Sequence, residues 1–272
     1  MSVLRKNYPC WAQTSSVANR MTTRDALAVY LNEYLECDRF DDYAPNGLQI
    51  EGRLDLKRIC TAVTASQDVI AEAISQNADA LLVHHGYFWR GEKAVITGMK
   101  RQRIAQLLNH DLNLFAYHLP LDCHLELGNN ARLGQLFEFD DIKAHRVGKT
   151  PNLLWTGTLR TPSLPSELSI QLGKKLQREP LCIPVSNHPI KRIAWCSGGA
   201  QDYIAEAQQL GVDAYLSGEV SERTYYEARE LGIHYFACGH HATERYGIQA
   251  LGEHLAAKFG LYHRFIDSCN PV

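Results

Sequence analysis

The sequence predicts an α/β protein built from two similar modules with largely parallel sheets, related by an internal repeat. Three observations carry this. Residues 66–85 (SQDVIAEAISQNADALLVHH) match residues 200–219 (AQDYIAEAQQLGVDAYLSGE) at nine of twenty positions, at an offset of 134, where composition alone gives about one or two. Each copy lies between strand-like runs, with an amphipathic stretch of about three turns inside it. That connection is too long for a hairpin, so the flanking strands pair in parallel. The similarity resumes in NLFAYH (113–118) and HYFACGH (234–240), whose closing His118 and His240 lie at an offset of 122, and an insertion around YFWRGEKAVITG (87–98) accounts for the change of offset.

Along the chain, residues 1–20 do not share the pattern that follows and are expected to be a disordered extension. Thr22 and Thr23 then offer helix caps just before the helical run ALAVYLNEYL. A first module, 21–145, contains the strand RICTAVTA (58–65), a helix, the strand ALLV closing on His84 and His85, and NLFAYH closing on His118, four residues before Asp122. A second module, 146–272, runs through KRIAWCSG (191–198), a helix, AYLS (214–217) and HYFACGH, closing on His240, four residues before Glu244. An alternative division is discontinuous, with the C-terminal segment joining the first module.

At 272 residues, 45% hydrophobic and 21% charged with a net charge of -2, the composition is that of an ordinary globular protein and speaks against nucleic-acid binding by bulk charge. The eight cysteines are scattered without a C-x-x-C pair and read as reduced thiols. No stretch approaches the ~20 apolar residues of a membrane helix, and the start lacks the apolar run of a signal peptide. A cytoplasmic protein without membrane partners is expected.

Ligands of open parallel sheets bind beyond the carboxyl ends of the strands. His84, His85, His118, Asp122, His240 and Glu244 all fall at such ends, on one rim. Imidazoles with carboxylates and no thiolates favour Zn, Fe, Mn, Co or Ni. Adjacent residues on an extended backbone point to opposite sides. His84 and His85 therefore both serve as ligands only if the strand ends and turns there, or if they serve two ions, an option a bridging carboxylate makes natural. An HH dipeptide or an H-x-x-x-E alone is an ordinary surface pattern; recurrence in register at strand ends is the signal. His110, His145, His188, His254 and His263 lie in helix-like or loop segments without donor partners and are expected to be solvated. His124 and His234 stay ambiguous, and His241 either lines the cavity or shuttles protons.

The segments DYAPNGLQIEG (42–52), ADALLVHHGYFW (78–89), HLPLDCHLELGNNA (118–131), SGEVSE (217–222) and GHHATER (239–245) closely resemble the YbgI-type, or NIF-three-like, family. Its members commonly carry the name GTP cyclohydrolase 1 type 2 homologue, and the resemblance runs from about residue 23 to the last residue. It implies a dinuclear site formed by His84, His85, Asp122, His240 and Glu244, two divalent transition-metal ions (Fe, Zn, Mn, Co or Ni), and a toroidal homohexamer. His118 is outside the five and is expected to orient Asp122 or a metal-held water.

The function expected from this set is metal-dependent hydrolysis, with His118 or Glu219 moving the proton. The repeat matches Glu219 to His85, and a purely structural carboxylate is the alternative for it. Arg90, Lys93, Lys100, Arg101 and Arg103, beside Tyr87, Phe88 and Trp89, suit a nucleotide-like small-molecule substrate, or else form a solvated face. The competing function is a non-enzymatic hexameric protein for metal binding, metal delivery or interaction. An accessible pocket with open coordination positions separates a catalytic site from a closed one.

Overall fold

The computed structural model describes residues 22–272, so the extension expected at residues 1–20 lies outside the described residues. Strand β1 (Thr22–Thr23) pairs with β3 (Asp55–Leu56), and Thr23 caps helix α1 (Arg24–Tyr34) by accepting from the Ala26 N–H. A five-stranded sheet follows, in the order β13-β4-β5-β6-β2. Strands β4 (Arg58–Thr64), β5 (Ala80–His85), β6 (Asn113–Ala116) and β13 (Tyr262–Phe265) run parallel, and β2 (Gly47–Ile50) is an antiparallel edge. Helices α2 (Gln67–Ser75) and α3 (Gly98–Asn109) make the crossovers, and the short α4 (Leu119–Asp122) follows β6.

The second sheet has six strands, ordered β7-β8-β10-β11-β12-β9. Strands β10 (Ile190–Trp195), β11 (Ala214–Ser217) and β12 (His234–Ala237) are parallel, whereas β7 (Asp140–Val147), β8 (Thr150–Ser163) and β9 (Leu181–Ile183) join antiparallel. The expected parallel character thus describes the first sheet and only the centre of the second. Strand β7 belongs to the second sheet although it begins at Asp140, and β13 belongs to the first. A division after residue 145 is therefore crossed twice.

Alternation along the strands covers both faces of each sheet. Ile59 and Val63 pack with Leu27 and Leu31 of α1 and with Ile248, Leu251 and Leu255 of α9 (His240–Phe259), while Cys60 and Ala62 face α2 and α3. In the second sheet Ala194, Tyr215 and Tyr235 face α7 (Ile204–Gln209) and α8 (Glu222–Leu231). Ile193, Trp195 and Phe236 face α5 (Asn129–Phe137) and α6 (Pro165–Leu176). Each of these large buried side chains contributes about 1.5–3 kcal/mol.

The two parallel strand pairs share one hydrogen-bond detail. Asp79, just before β5, accepts from the Lys57 and Arg58 N–H groups at 2.8 Å each, and Asp213, just before β11, accepts from those of Lys191 and Arg192 at 2.9 and 2.8 Å. Helix α9 joins the sheets: it starts at the end of β12 in the second and packs along β4, β5 and β13 of the first. Its first turns therefore lie where strand ends of both sheets meet.

Candidate metal centre

His84 and His85 close β5, and Gly86 follows, buried too tightly for a side chain: a Cβ there would lie 2.2 Å from the Gln49 amide oxygen. At this turn the two rings face the same side, with centroids 4.7 Å apart. His84 Nε2 is 3.5 Å from Asp122 Oδ2 and 3.5 Å from Glu244 Oε1. His85 Nε2 is 3.2 Å from Glu244 Oε2, and His240 Nε2 is 3.2 Å from the same oxygen. His240 and Glu244 are one helical turn apart at the start of α9, which places both over the strand ends.

The donors form three trios, His84 with Asp122 and Glu244, His85 with His240 and Glu244, and His84 with His85 and His118. Glu244 belongs to the first two and offers one oxygen to each. Among the described residues, His84 Nε2 and Glu244 Oε2 are buried without any hydrogen-bond partner. A buried polar atom left unpaired costs about 1–3 kcal/mol. The donors therefore converge on a common space rather than on one another, which is the arrangement a cation would satisfy.

Each imidazole is fixed through its other nitrogen. Nδ1 of His84 meets the Tyr117 carbonyl at 2.9 Å, Nδ1 of His85 meets Thr64 Oγ1 at 3.1 Å, and Nδ1 of His240 meets Glu219 Oε1 at 2.7 Å. Such partners set ring orientation and tautomer in metal sites. Asp122 is held in the same spirit: its Oδ1 accepts from Asn129 Nδ2 at 2.8 Å and from Ser197 Oγ at 3.0 Å, leaving Oδ2 toward His84.

Of the two residues expected to move a proton, Glu219 is engaged with His240 and so orients a candidate ligand. His118 does not bond Asp122, which was one of the two roles expected for it. Its Nδ1 meets Asp42 Oδ1 at 2.7 Å, because the loop carrying Asp42 folds over the end of β6. Trp89 stands against His85 and His118, whereas the Tyr87 hydroxyl is turned inward onto the Ala65 carbonyl. Arg90 is paired with Asp41 and Lys100 with Glu92, so these two do not stand free to grip a phosphate. His263, expected in solvent, is buried and meets Thr61 Oγ1, because β13 inserts into the first sheet. His241 is bonded to Asp267.

Asp42, Thr64, Asn129 and Ser197 were not singled out by the sequence reading. Asp42 and Asn129 do lie inside the segments that carry the family resemblance, and Ser197 is the second-last residue of a predicted strand. That was the available signal.

The electrostatics follow from crowding these groups together. Burial disfavours a charged His84, but the Asp122 and Glu244 carboxylates outweigh it and push the group up to about 10. Burial opposes a charge on His240 as well, yet Glu244 and Glu219 raise it to about 9. Burial takes His85 down to about 3. Burial pushes Asp122 up, whereas for Glu244 the opposing burial is overcome by His85 and His84, which hold it well below the usual carboxylate range.

A testable consequence concerns pH. Raised histidines are protonated at neutral pH and must release those protons to bind a cation, so apparent metal affinity rises with pH until the groups titrate, to about 9 for His240 and about 10 for His84. The slope is about tenfold per pH unit for each proton released. Calorimetry of zinc binding in buffers of different ionisation enthalpy counts the protons, and a count of zero at neutral pH would contradict this electrostatic arrangement.

A cavity of about 170 Å³, lined by Val63, Thr64, His85, His240, His241, Asn270 and Val272, opens onto the His85 and His240 side. It shares Thr64, His241 and Asn270 with a larger cleft of about 1000 Å³.

Curated relatives named GTP cyclohydrolase 1 type 2 homolog match nearly the whole chain. The one from Allochromatium vinosum is 50% identical over 252 residues, covering 93% of this chain and 98% of its own. The one from Escherichia coli K12 is 48% identical over 247 residues, covering 90% and 98%. Among solved structures, that of protein ybgI, described as of unknown function, has a TM-score of 0.88 at 46% identity over 92% of this chain and 100% of that one. Reduced HcgD from Methanocaldococcus jannaschii shares the fold, with a TM-score of 0.79 at 22% identity over 92% and 99%. With the Duf34/NIF3 (NGG1p interacting factor 3) model matching residues 21–271, the chain belongs to the Duf34/NIF3 family.

Proposed function

We propose that the chain is a metal-dependent hydrolase with a dinuclear centre, acting on a nucleotide-like small molecule. The observation that carries this reading is the shared carboxylate: Glu244 faces two donor trios at once, and among the described residues Glu244 Oε2 and His84 Nε2 have no hydrogen-bond partner. Divalent transition-metal ions, when bound, supply Lewis acidity and lower the pKa of water to about 7. His84, Asp122 and Glu244 would hold one ion and His85, His240 and Glu244 the other. The Nδ1 partners keep the three Nε2 atoms aimed inward, and Asn129 with Ser197 limits Asp122 to one free oxygen. Trp89 packs against the His85 and His118 rings. The cavity at His85 and His240, which shares lining residues with the larger cleft, favours turnover over closed metal storage, since catalytic sites keep an approach for substrate.

The relatives' names point to GTP as the first compound to try. The test is metal analysis of the purified chain followed by a panel of nucleotides, phosphoesters and cyclic amides, with Glu244→Ala as control. Turnover in the wild type that vanishes in the variant supports a hydrolase. A metal-loaded chain inert toward the whole panel would favour metal binding or delivery instead.

The working form in this reading is a cytoplasmic homohexameric toroid. The resemblance to the family suggests it, and the exposed apolar side chains of Phe88, Val95, Ile96 and Met99 are suited to a subunit contact. No helix among the described residues is long and apolar enough to cross a membrane. Native mass spectrometry decides the assembly. The matching Asp79 and Asp213 clamps, at the offset of the sequence repeat, support descent of the two sheets from one duplicated unit.

A further inference from the structure

The site contains a fourth histidine held as the other three are. A ring nitrogen of His118 lies within 4.8 Å of donor atoms of His84 and His85, and Trp89 meets its ring edge-on at 5.1 Å. Yet His84, His85 and His240 each bring Nε2 within 3.5 Å of Glu244, and among the described residues His118 makes no such approach. The carboxylate paired with it is Asp42, through Nδ1.

Asp42 is built into its place. Its side chain is only 3% exposed. One oxygen takes the His118 Nδ1 contact at 2.7 Å and the Tyr43 N–H at 2.6 Å; the other accepts from Asn46 Nδ2 and from the Leu119 N–H, both at 2.9 Å. Asn46 closes the ring by accepting the His118 N–H at 2.7 Å. One carboxylate thus grips the imidazole and the backbone beside it. Burial works against its charge, but the bonds from His118 and Asn46 keep it ionised and below the usual carboxylate range. An ionised carboxylate only accepts, so the proton of the shared bond sits on the imidazole.

We propose that Asp42 is a positioning residue that holds His118 as the Nδ1–H tautomer, so that Nε2 presents a bare lone pair beside His84 and His85. His118 is then a hydrogen-bond acceptor at the metal centre and not one of its ligands, placed to draw the proton of an attacking water or substrate hydroxyl. The role in turnover rests on the hydrolase reading; the tautomer does not.

Asp42→Asn tests this because it keeps the shape while replacing an acceptor by an amide donor, which reverses the bond to Nδ1 and moves the ring proton to Nε2. The full chain is loaded with zinc, and long-range nitrogen–proton NMR reads the His118 tautomer, assigned by difference against His118→Gln. The expected result is Nδ1–H in the wild type and Nε2–H in Asp42→Asn. Bound zinc should stay within about twofold of wild type in both variants, well short of the ~10–100-fold affinity loss seen when a ligand's supporting partner is removed. If a substrate is in hand, kcat of Asp42→Asn should fall by about 100-fold or more at little-changed KM. An Nε2–H proton in the wild type overturns the proposal, as does zinc loss in His118→Gln equal to that in His240→Ala, which would make His118 a ligand. Should Asp42→Asn not fold, the wild-type spectrum and His118→Gln still decide. A wild type without turnover sinks the hydrolase reading alone, because the tautomer and zinc measurements need none.

Discussion

Glu244→Ala is expected to leave the purified chain with almost no bound metal, whereas Asp122→Ala should lose chiefly one of two ions. The asymmetry follows from geometry. Glu244 Oε1 lies by His84 and Oε2 lies by both His85 and His240, so one side chain completes two donor trios, while Asp122 serves one. Loss of a partner that merely supports a ligand lowers affinity ~10–100-fold, and loss of a ligand shared by two sites should exceed that for each. The variant also removes the carboxylate that helps keep His84 and His240 protonated in the metal-free chain, so it should bind zinc with less proton release. Mass spectrometry of metal content after dialysis checks the first point. Equal content in wild type and Glu244→Ala would reject the site.

The sequence made the donor set visible because each donor follows a strand whose apolar run is readable, and because His84 and His85, Asp122, and His240 with Glu244 sit in short motifs. The parallel centres of both sheets were legible for the same reason: strand, helix and strand each leave a periodic trace. What escaped notice has no such trace. The Asp42 contact to His118 spans 76 positions and starts from a loop, where neither period nor spacing marks a partner. Thr64 was read as one more strand residue, yet its hydroxyl fixes His85. The antiparallel strands β7, β8 and β9 extend the second sheet outside the repeat, so the repeat could not announce them. His263 was misplaced because a short C-terminal run does not show which strand it pairs with, whereas the register of β13 on β4 puts its ring against Thr61.

A glycine supplies the last and most selective test. Gly198 follows β10 with φ +67, and a Cβ built there would lie 2.1 Å from Glu244 Oε1 and 3.1 Å from His240 Nε2. The left-handed backbone alone costs a non-glycine residue roughly 1–2 kcal/mol. The backbone has little room to yield, because the Gly198 N–H donates to Thr243 Oγ1 at 3.0 Å and its carbonyl accepts the Gly218 N–H at 2.8 Å. The softer response is for Glu244 to move, which takes away the shared carboxylate without deleting it. Gly198→Ala should therefore lose metal almost as completely as Glu244→Ala, with affinity down by about 100-fold or more. Gly199→Ala is the matched control: its added Cβ would sit 3.5 Å from the Glu219 carboxylate, an ordinary contact. It should keep its metal. Thermal unfolding in the presence of a chelator separates the two effects, since backbone strain lowers the midpoint with or without metal and a displaced ligand matters only when metal is bound. Equal metal content in Gly198→Ala and Gly199→Ala would mean that Glu244 is free to move without cost, and that the close fit around it plays no part in holding the ions.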